Sequence, residues 1–259
     1  IISPNHLFTK YIDRVLPELG EENIASLTFE DVFLANFSGS LPLESRREQL
    51  DRLLGIRDQE EYLLECSEIA FKSSAEFALI LRRLADYYER RIKELPEFYY
   101  HGQYIATSRE LREELLRDRA GIPLAKRLGQ MRSRLSEKLY KSRKARLPQL
   151  EDFTPNYPDH QLEVRSFARL LSMKRSKYLN RTLEKLTEID AMGLYQRLFT
   201  DRALFDHLAK GIRLPENIED LLKHCRQMPL GYNDAPALTY LRVLLEGSAD
   251  YPQFRQVMV

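Results

Sequence analysis

The chain has 259 residues, 43% of them hydrophobic, with 40 Lys and Arg against 39 Asp and Glu and a formal net charge of +1. That is enough apolar material for a core in one large or two ordinary domains, so the chain is expected to fold, and its overall charge does not by itself mark a nucleic-acid binder. Cys66 and Cys225 are the only cysteines and form no CxxC; this argues against a disulfide framework, and with no apolar run of the ~18 residues needed to span a bilayer the expected setting is the cytoplasm, without a membrane partner.

Taken in order, Ile1-Ile2 reads as the end of a buried strand and Ser3-Pro4-Asn5 as a turn. Residues 6–16 follow as a helix with Leu7, Phe8, Tyr11, Ile12 and Val15 at helical spacing. Pro17 and Gly20 end it, and 24–29 has the residue types of a second short strand, so the chain opens within a βαβ unit. A short helix over 31–37 is broken by 39–42. From 44 to 95 the pattern is helical, with Leu50, Leu53 and Leu54 on one face and Phe77, Leu81, Leu84 and Tyr88 on another. Gly55 and Asp58 separate two of these helices, and Lys72-Ser73-Ser74 marks a further break.

Residues 98–107 carry aromatic and β-branched side chains on both sides of His101-Gly102 and read as a hairpin. Tyr99, Tyr100 and Tyr104 could stack on bases, but cross-strand packing is the preferred role. Thr107 or Ser108 caps the next helix, with Glu110 in its first turn. After a break at Gly121-Ile122-Pro123, the stripe Leu124, Leu128, Met131, Leu135 and Leu139 is too narrow for a helix buried all round and predicts a projecting arm or a paired helix. Pro148, Pro155 and Pro158 are expected to interrupt helix formation. Helices resume over 162–173, 178–199 and 203–208, with Leu183, Leu186 and Ile189 on an apolar face, and another lies near 218–225. A helix over 235–245, a turn over 247–252 and an incoming strand over 254–259 close the chain. Strands at both extremes need neighbours, so the sequence is expected to be an internal piece of a longer protein.

None of the ten glycines stands in a Gly-x-x-x-x-Gly-Lys-Ser/Thr loop, so no phosphate cradle of that kind is present. The five histidines never form a spaced pair. His224-Cys225 is the only adjacent His and Cys, and neighbours on a helix point apart, so no metal site is expected.

The strongest local signal is charge. Between 109 and 146 there are thirteen Lys and Arg against five Asp and Glu, and 161–185 adds seven against two. The densest cluster is Lys138, Lys141, Arg143, Lys144 and Arg146, and Lys174, Arg175 and Lys177 extend the candidate basic face. Residues 13–76 lean the other way, with Glu60, Glu61, Glu65 and Glu68 clustered. Such an arrangement can hold a polyanion at its basic end or present a solvated helix face.

Several stretches resemble one family. Ile2-Ser3-Pro4-Asn5-His6-Leu7-Phe8, Tyr11-Ile12, Val15-Leu16-Pro17-Glu18-Leu19-Gly20-Glu21-Glu22 and Leu27-Thr28-Phe29 resemble the segment after the Walker A helix in HelD-type proteins, relatives of the UvrD/Rep-like superfamily-one helicases. Asp234-Ala235-Pro236-Ala237-Leu238-Thr239-Tyr240-Leu241, with Leu245-Glu246-Gly247, is similar to the family's run ahead of Walker B. Phe71-Lys72-Ser73-Ser74, Phe77 and the 98–107 segment resemble the large insertion in its first RecA-like domain.

The resemblance implies a mainly α fold, a large helical insertion over 38–229 with a small β-hairpin, flanked by partial RecA-like α/β core elements over 1–37 and 230–259. It implies a parent that hydrolyses ATP with Mg, binds core RNA polymerase and displaces nucleic acid from stalled complexes. The cofactor-binding motifs fall outside this sequence, so no cofactor and no turnover are expected of the piece itself. DNA is a possible partner and the oligomeric state is left open. Thr28-Phe29 resembles the Thr-Phe-His element that contacts single-stranded DNA, which makes Asn5, Thr28 and Phe29 candidate contacts; Glu30 stands in place of the His, and a carboxylate repels phosphate. The acidic helices over 51–76 could imitate nucleic acid in a basic channel, while the Lys138 cluster would meet DNA or an acidic patch. The alternative reading is the DNA-binding insert of a conventional ATP-dependent helicase or translocase.

Overall fold

The computed structural model describes residues 1–3, 5–18, 20, 24–34, 44–91, 95–100, 103–117, 121–152, 161–227 and 230–248. The expected break at 39–42, the 153–159 part of the interruption expected over 149–159, the His101-Gly102 turn and the strand over 254–259 lie outside them. The fold is mainly helical with a small antiparallel sheet, as the sequence predicts. Two compact units divide it, one of residues 1–85 with 191–244, the other of 86–190 with 245–247.

The first unit opens with β1 (Ile2–Ser3), α1 (His6–Glu18) and β2 (Leu27–Thr28), and β1 pairs in parallel with β2 through Ile2 opposite Leu27 and Ser3 opposite Thr28. This is the expected βαβ unit. Two details differ from the pattern reading. Leu7, Phe8 and Tyr11 on α1 are exposed, Leu7 by 80%. The second strand is cut short because α2 (Phe29–Leu34) begins at Phe29. The cause is local: the Asp31 amide donates to Thr28 Oγ1 at 3.2 Å, and Asp31 Oδ2 accepts from the Thr28 amide and hydroxyl at 2.7 Å each. That reciprocal pair starts a helix two residues earlier than apolar spacing suggests.

Next come α3 (Arg46–Gly55), α4 (Gln59–Lys72) and α5 (Ala75–Arg91), separated at the expected breaks. Ser45 and Glu48 form a capping box on α3, and Asp58 caps α4 through the Glu61 amide at 2.9 Å. The capped start of α3 turns Gln49 inward and leaves Leu50 and Leu54 exposed, which corrects the expected apolar face. At about 100° per residue, Gln49, Arg52 and Leu53 share the inner side and Leu50 and Leu54 fall one step outside it.

Four helices complete this unit: α9 (Ala191–Thr200), α10 (Arg202–Ala209), α11 (Ile218–Gln227) and most of α12 (Asp234–Glu246). Its core gathers Phe77, Ile80, Leu81 and Leu84 of α5 with Tyr195, Leu198, Phe205, Leu221 and Leu241, all essentially inaccessible to solvent. Phe77 lies 6.3 Å from the Tyr195 ring edge-on and 6.2 Å from Phe199 in a stacked arrangement. Arg83 Nη1 donates to the carbonyls of Leu208 and Lys210 at 2.7 and 2.8 Å, closing the C-terminal end of α10.

The second unit contains β3 (Phe98–Tyr100) and β4 (Gln103–Ala106), an antiparallel pair with Tyr99 opposite Tyr104 and an irregularity between Phe98 and Tyr99. The hairpin is as expected. α6 (Ser108–Arg117) follows, with the Thr107 amide donating to Glu110 Oε2 at 2.9 Å and the Glu110 amide to Thr107 Oγ1 at 3.3 Å. Then come α7 (Leu124–Asp152) and α8 (Gln161–Thr187), which pack on one another. Joined by only eight residues, two helices that pack along each other run antiparallel. The predicted stripe from Leu124 to Leu139 is buried without exception, along with Leu179 and Leu183 of α8.

Two predicted interruptions are absent. α7 continues through Pro148 to Asp152, the pairing with α8 outweighing the missing amide. α8 is continuous across 174–177, where Lys and Arg are good helix formers. The break falls instead at 188–190, after Thr187, whose hydroxyl donates to the Leu183 carbonyl at 2.7 Å.

Candidate functional site

The basic face belongs to α7 and α8. Together these helices carry sixteen Lys and Arg against five Asp and Glu, while the whole chain is +1. Burial of the apolar stripe decides which of the charges face water. Lys138, Lys141 and Lys144 on α7 and Lys174 and Lys177 on α8 are exposed, and Arg143 is half-buried with its guanidinium 5.5 Å from the Tyr140 ring centre. Arg146 and Arg175 fall on the same helices, but their side chains lie outside the described residues.

Some of the thirteen early cations are already engaged. Arg127 is buried and joins Glu89 at 2.9 Å while donating to the Leu115 and Ile122 carbonyls at 2.9 and 3.0 Å. Arg134 pairs with Glu114 at 2.6 Å and Lys141 with Glu137 at 2.7 Å. Among the described residues Lys138, Lys144, Lys174 and Lys177, like Arg132, Arg181 and Lys185, are exposed with no carboxylate within ion-pair distance, and Lys138 lies near enough to Glu110 to help hold that carboxyl below the ordinary range. Tyr140 and Tyr178, 56% and 61% exposed, add ring surface between them. Neither tyrosine is singled out by sequence spacing. In the hairpin, Tyr100 is buried and unavailable for stacking, whereas Tyr99 and Tyr104 pack edge-on at 5.2 Å and stay partly exposed.

At the N-terminal candidate contacts, Asn5 Oδ1 accepts from the Phe8 amide at 2.9 Å and so caps α1. Thr28 is buried and held by Asp31, and the Phe29 ring is just over half exposed. The Thr28 hydroxyl is therefore committed to starting α2. Burial acts against the Asp31 carboxylate, but hydrogen bonds from Thr28 and the nearby His6 hold its pKa below the ordinary aspartate range. A carboxyl with a lower pKa folded than unfolded contributes stability above the unfolded value of about 3.9 and loses it as pH falls through the folded value. The stability difference between the natural chain and Asp31→Asn is thus expected to be full at neutral pH and to shrink below about pH 4, read from urea midpoints over a pH series.

A second cluster lies inside the first unit, between α4 and α11 and at the start of α12. Glu65 and Glu68 are successive inward positions of α4. Glu65 Oε1 meets Arg52 Nη1 and lies 2.9 Å from His224 Nε2; Glu68 Oε2 lies 3.4 Å from the same nitrogen. Lys72 Nζ sits 2.6 Å from both Glu68 Oε1 and Asp234 Oδ1. Tyr195 donates its hydroxyl to Asp234 Oδ1 at 2.5 Å, and the Gly231 amide donates to Asp234 Oδ2 at 2.7 Å. A cavity of about 240 Å³ adjoins the cluster, lined among others by Glu68, Lys72, Tyr195, Cys225, Arg226 and Asp234.

No protein-family model and no curated protein matches the chain.

Burial pushes the Cys225 thiol up to about 12, with Lys72 opposing and Glu68 and Asp234 adding to the rise. It is therefore a protonated, unreactive thiol at neutral pH. Glu65 would be raised by burial, but Arg52 and then His224 bring its carboxyl below the usual range. With Glu65 and Glu68 turned inward, the acidic surface expected over 51–76 is reduced to Asp51, Asp58, Glu60, Glu61 and Glu76, all exposed. In the sequence Glu65 and Glu68 read as part of that surface, and His224 stands without ligand-like company. Their separation of 159 positions between Glu65 and His224 hides the meeting from any local pattern.

Proposed function

We propose that this chain is the insert-bearing part of the first motor domain of a HelD-type ATPase, and that its α7–α8 arm contacts nucleic acid on RNA polymerase when the parent releases stalled complexes. The reading is supported by the order of the family-like segments and by the parallel β1–α1–β2 unit at the start of the chain. One observation carries the contact: lysines 138, 144, 174 and 177 stand exposed on paired helices whose apolar stripe is already buried. A helix pair whose apolar seam is buried and which presents exposed cations is suited to a polyanion, and each neutralised phosphate releases counterions. ATP and Mg belong to the proposed parent. Among the described residues the glycines with positive φ, Gly20, Gly121, Gly211 and Gly247, stand apart from one another and outside any phosphate-loop pattern, so they form no cradle for a nucleotide phosphate.

The second reading, a DNA clamp in a conventional translocase, is favoured by the exposed rings of Tyr140 and Tyr178 among the same lysines. Binding of the purified chain to core RNA polymerase, and in parallel to single- and double-stranded DNA over a salt series, separates the two. Saturable polymerase binding with weaker, salt-sensitive DNA binding is the expected result. Tight DNA binding without polymerase binding selects the clamp, and binding to neither removes the arm as a recognition element.

A further inference from the structure

The geometry points to a site for one divalent transition-metal ion, of the zinc class, formed by Glu65, Glu68 and His224. These three residues each bring one ligand atom to within 4.8 Å of the others. The helix supplies two of them because positions three apart on α4 lie on one face, and α11 packs His224 against that face. Tetrahedral zinc with ligands at about 2.1 Å places neighbouring ligand atoms about 3.4 Å apart. The Glu68 Oε2 to His224 Nε2 separation is already 3.4 Å, and Glu65 Oε1 to His224 Nε2 at 2.9 Å has to open by only about 0.5 Å.

Three independent features go beyond proximity. Glu68 Oε2 is a buried acceptor that shares the His224 nitrogen at 3.4 Å with Glu65 and otherwise has only the weak thiol donor of Cys225 beside its carboxylate, so two carboxylate oxygens converge on one imidazole nitrogen that can donate a single proton. The wider chain of ion pairs has four carboxylates, Glu44, Glu65, Glu68 and Asp234, against two permanent cations, Arg52 and Lys72. Even with Arg226 at the adjoining cavity, carboxylates outnumber permanent cations, an excess that a dication offsets. Finally, Glu68 also lines the adjoining cavity, which gives room for water ligands and a way in. Arg52, held by Glu44 at 2.7 and 3.1 Å, meets the same Glu65 Oε1 and fixes its position. One imidazole with two carboxylates suits Zn²⁺ and Mn²⁺ better than Mg²⁺, which keeps most of its water.

The test is equilibrium dialysis of the full 259-residue chain with Zn²⁺ alone, Mn²⁺ alone and Mg²⁺ alone, with bound metal counted per chain. One Zn²⁺ per chain is expected, weakened about tenfold or more in Glu68→Gln and in His224→Ala, and unchanged in Cys225→Ser. Circular dichroism checks that each variant is folded. Co²⁺ substitution gives a second readout: visible bands without a thiolate charge-transfer band. A raised melting temperature with Zn²⁺ in the natural chain and not in Glu68→Gln is expected from binding to the folded form alone. Absence of stoichiometric binding, equal binding by folded Glu68→Gln, or a thiolate band lost in Cys225→Ser each overturns the site and leaves the cluster as an ion-pair network.

Discussion

Replacing Asp234 by Ala is expected to destabilise the chain by about 3–5 kcal/mol, the cost of breaking a buried charge pair from one side. The Lys72 and Asp234 side chains are 4% and 3% exposed and sit 2.6 Å apart. Burial alone would lower the Lys72 pKa, but Asp234 and, further down, Glu68 hold it above the ordinary lysine range. A raised lysine contributes stability that is present below its unfolded pKa and lost only as pH rises through the folded one, so the pair acts in full at neutral pH. Removing Asp234 leaves the ammonium with Glu68 and deprives the Tyr195 hydroxyl of its acceptor. It also frees the Gly231 amide that Asp234 Oδ2 holds at 2.7 Å. Urea unfolding monitored by circular dichroism gives the magnitude. The pair Lys72→Met with Asp234→Asn should lose less together than the sum of the two separately, because neither charge is then stranded. A loss under about 1 kcal/mol for Asp234→Ala would mean that water in the adjoining cavity solvates Lys72, and the pair would cease to be a structural pin.

That cluster shows where the sequence stops being readable. Features with a local grammar were legible: the alternating aromatic residues of 98–106 gave a hairpin, Thr107 with Glu110 gave a cap, and the five apolar positions from Leu124 to Leu139 gave a buried seam and a partner helix. Each depends on residues two to four positions apart. The Lys72, Asp234 and Tyr195 meeting joins positions far apart in the chain, and charged residues read alone default to the surface. Leu50 and Leu54 mislead in the opposite sense, since capping by Ser45 and the turn of Arg52 toward Glu44 rotate them outward. Pro148 does so again, because a local breaker is weighed against a pairing that only the folded α7 and α8 reveal. The basic face was legible as composition. Which lysines remain free was not, for Arg127, Arg134 and Lys141 are indistinguishable from Lys144 in sequence and distinct from it in partners.

That distinction sets the second large effect. A variant with Lys138, Lys144, Lys174 and Lys177 all replaced by Ala is expected to bind double-stranded DNA with a salt dependence shallower by about 3.6 in the slope of log affinity against log salt, from four lost phosphate contacts at about 0.9 each. For single strands the change is nearer about 2.8. All four side chains are exposed, so their removal should leave folding within about 0.5 kcal/mol of the parent. Lys141→Ala is the internal comparison: its partner Glu137 already offsets it at 2.7 Å, and deleting it also releases that carboxylate to repel phosphate, so a loss there cannot exceed one lysine's share by much. Tyr140→Ala and Tyr178→Ala should lower affinity for single strands without changing the salt slope, because stacking releases no counterions. If the fourfold variant keeps the full slope while remaining folded, these four lysines do not meet phosphates, and the affinity of the chain for nucleic acid comes from other cations.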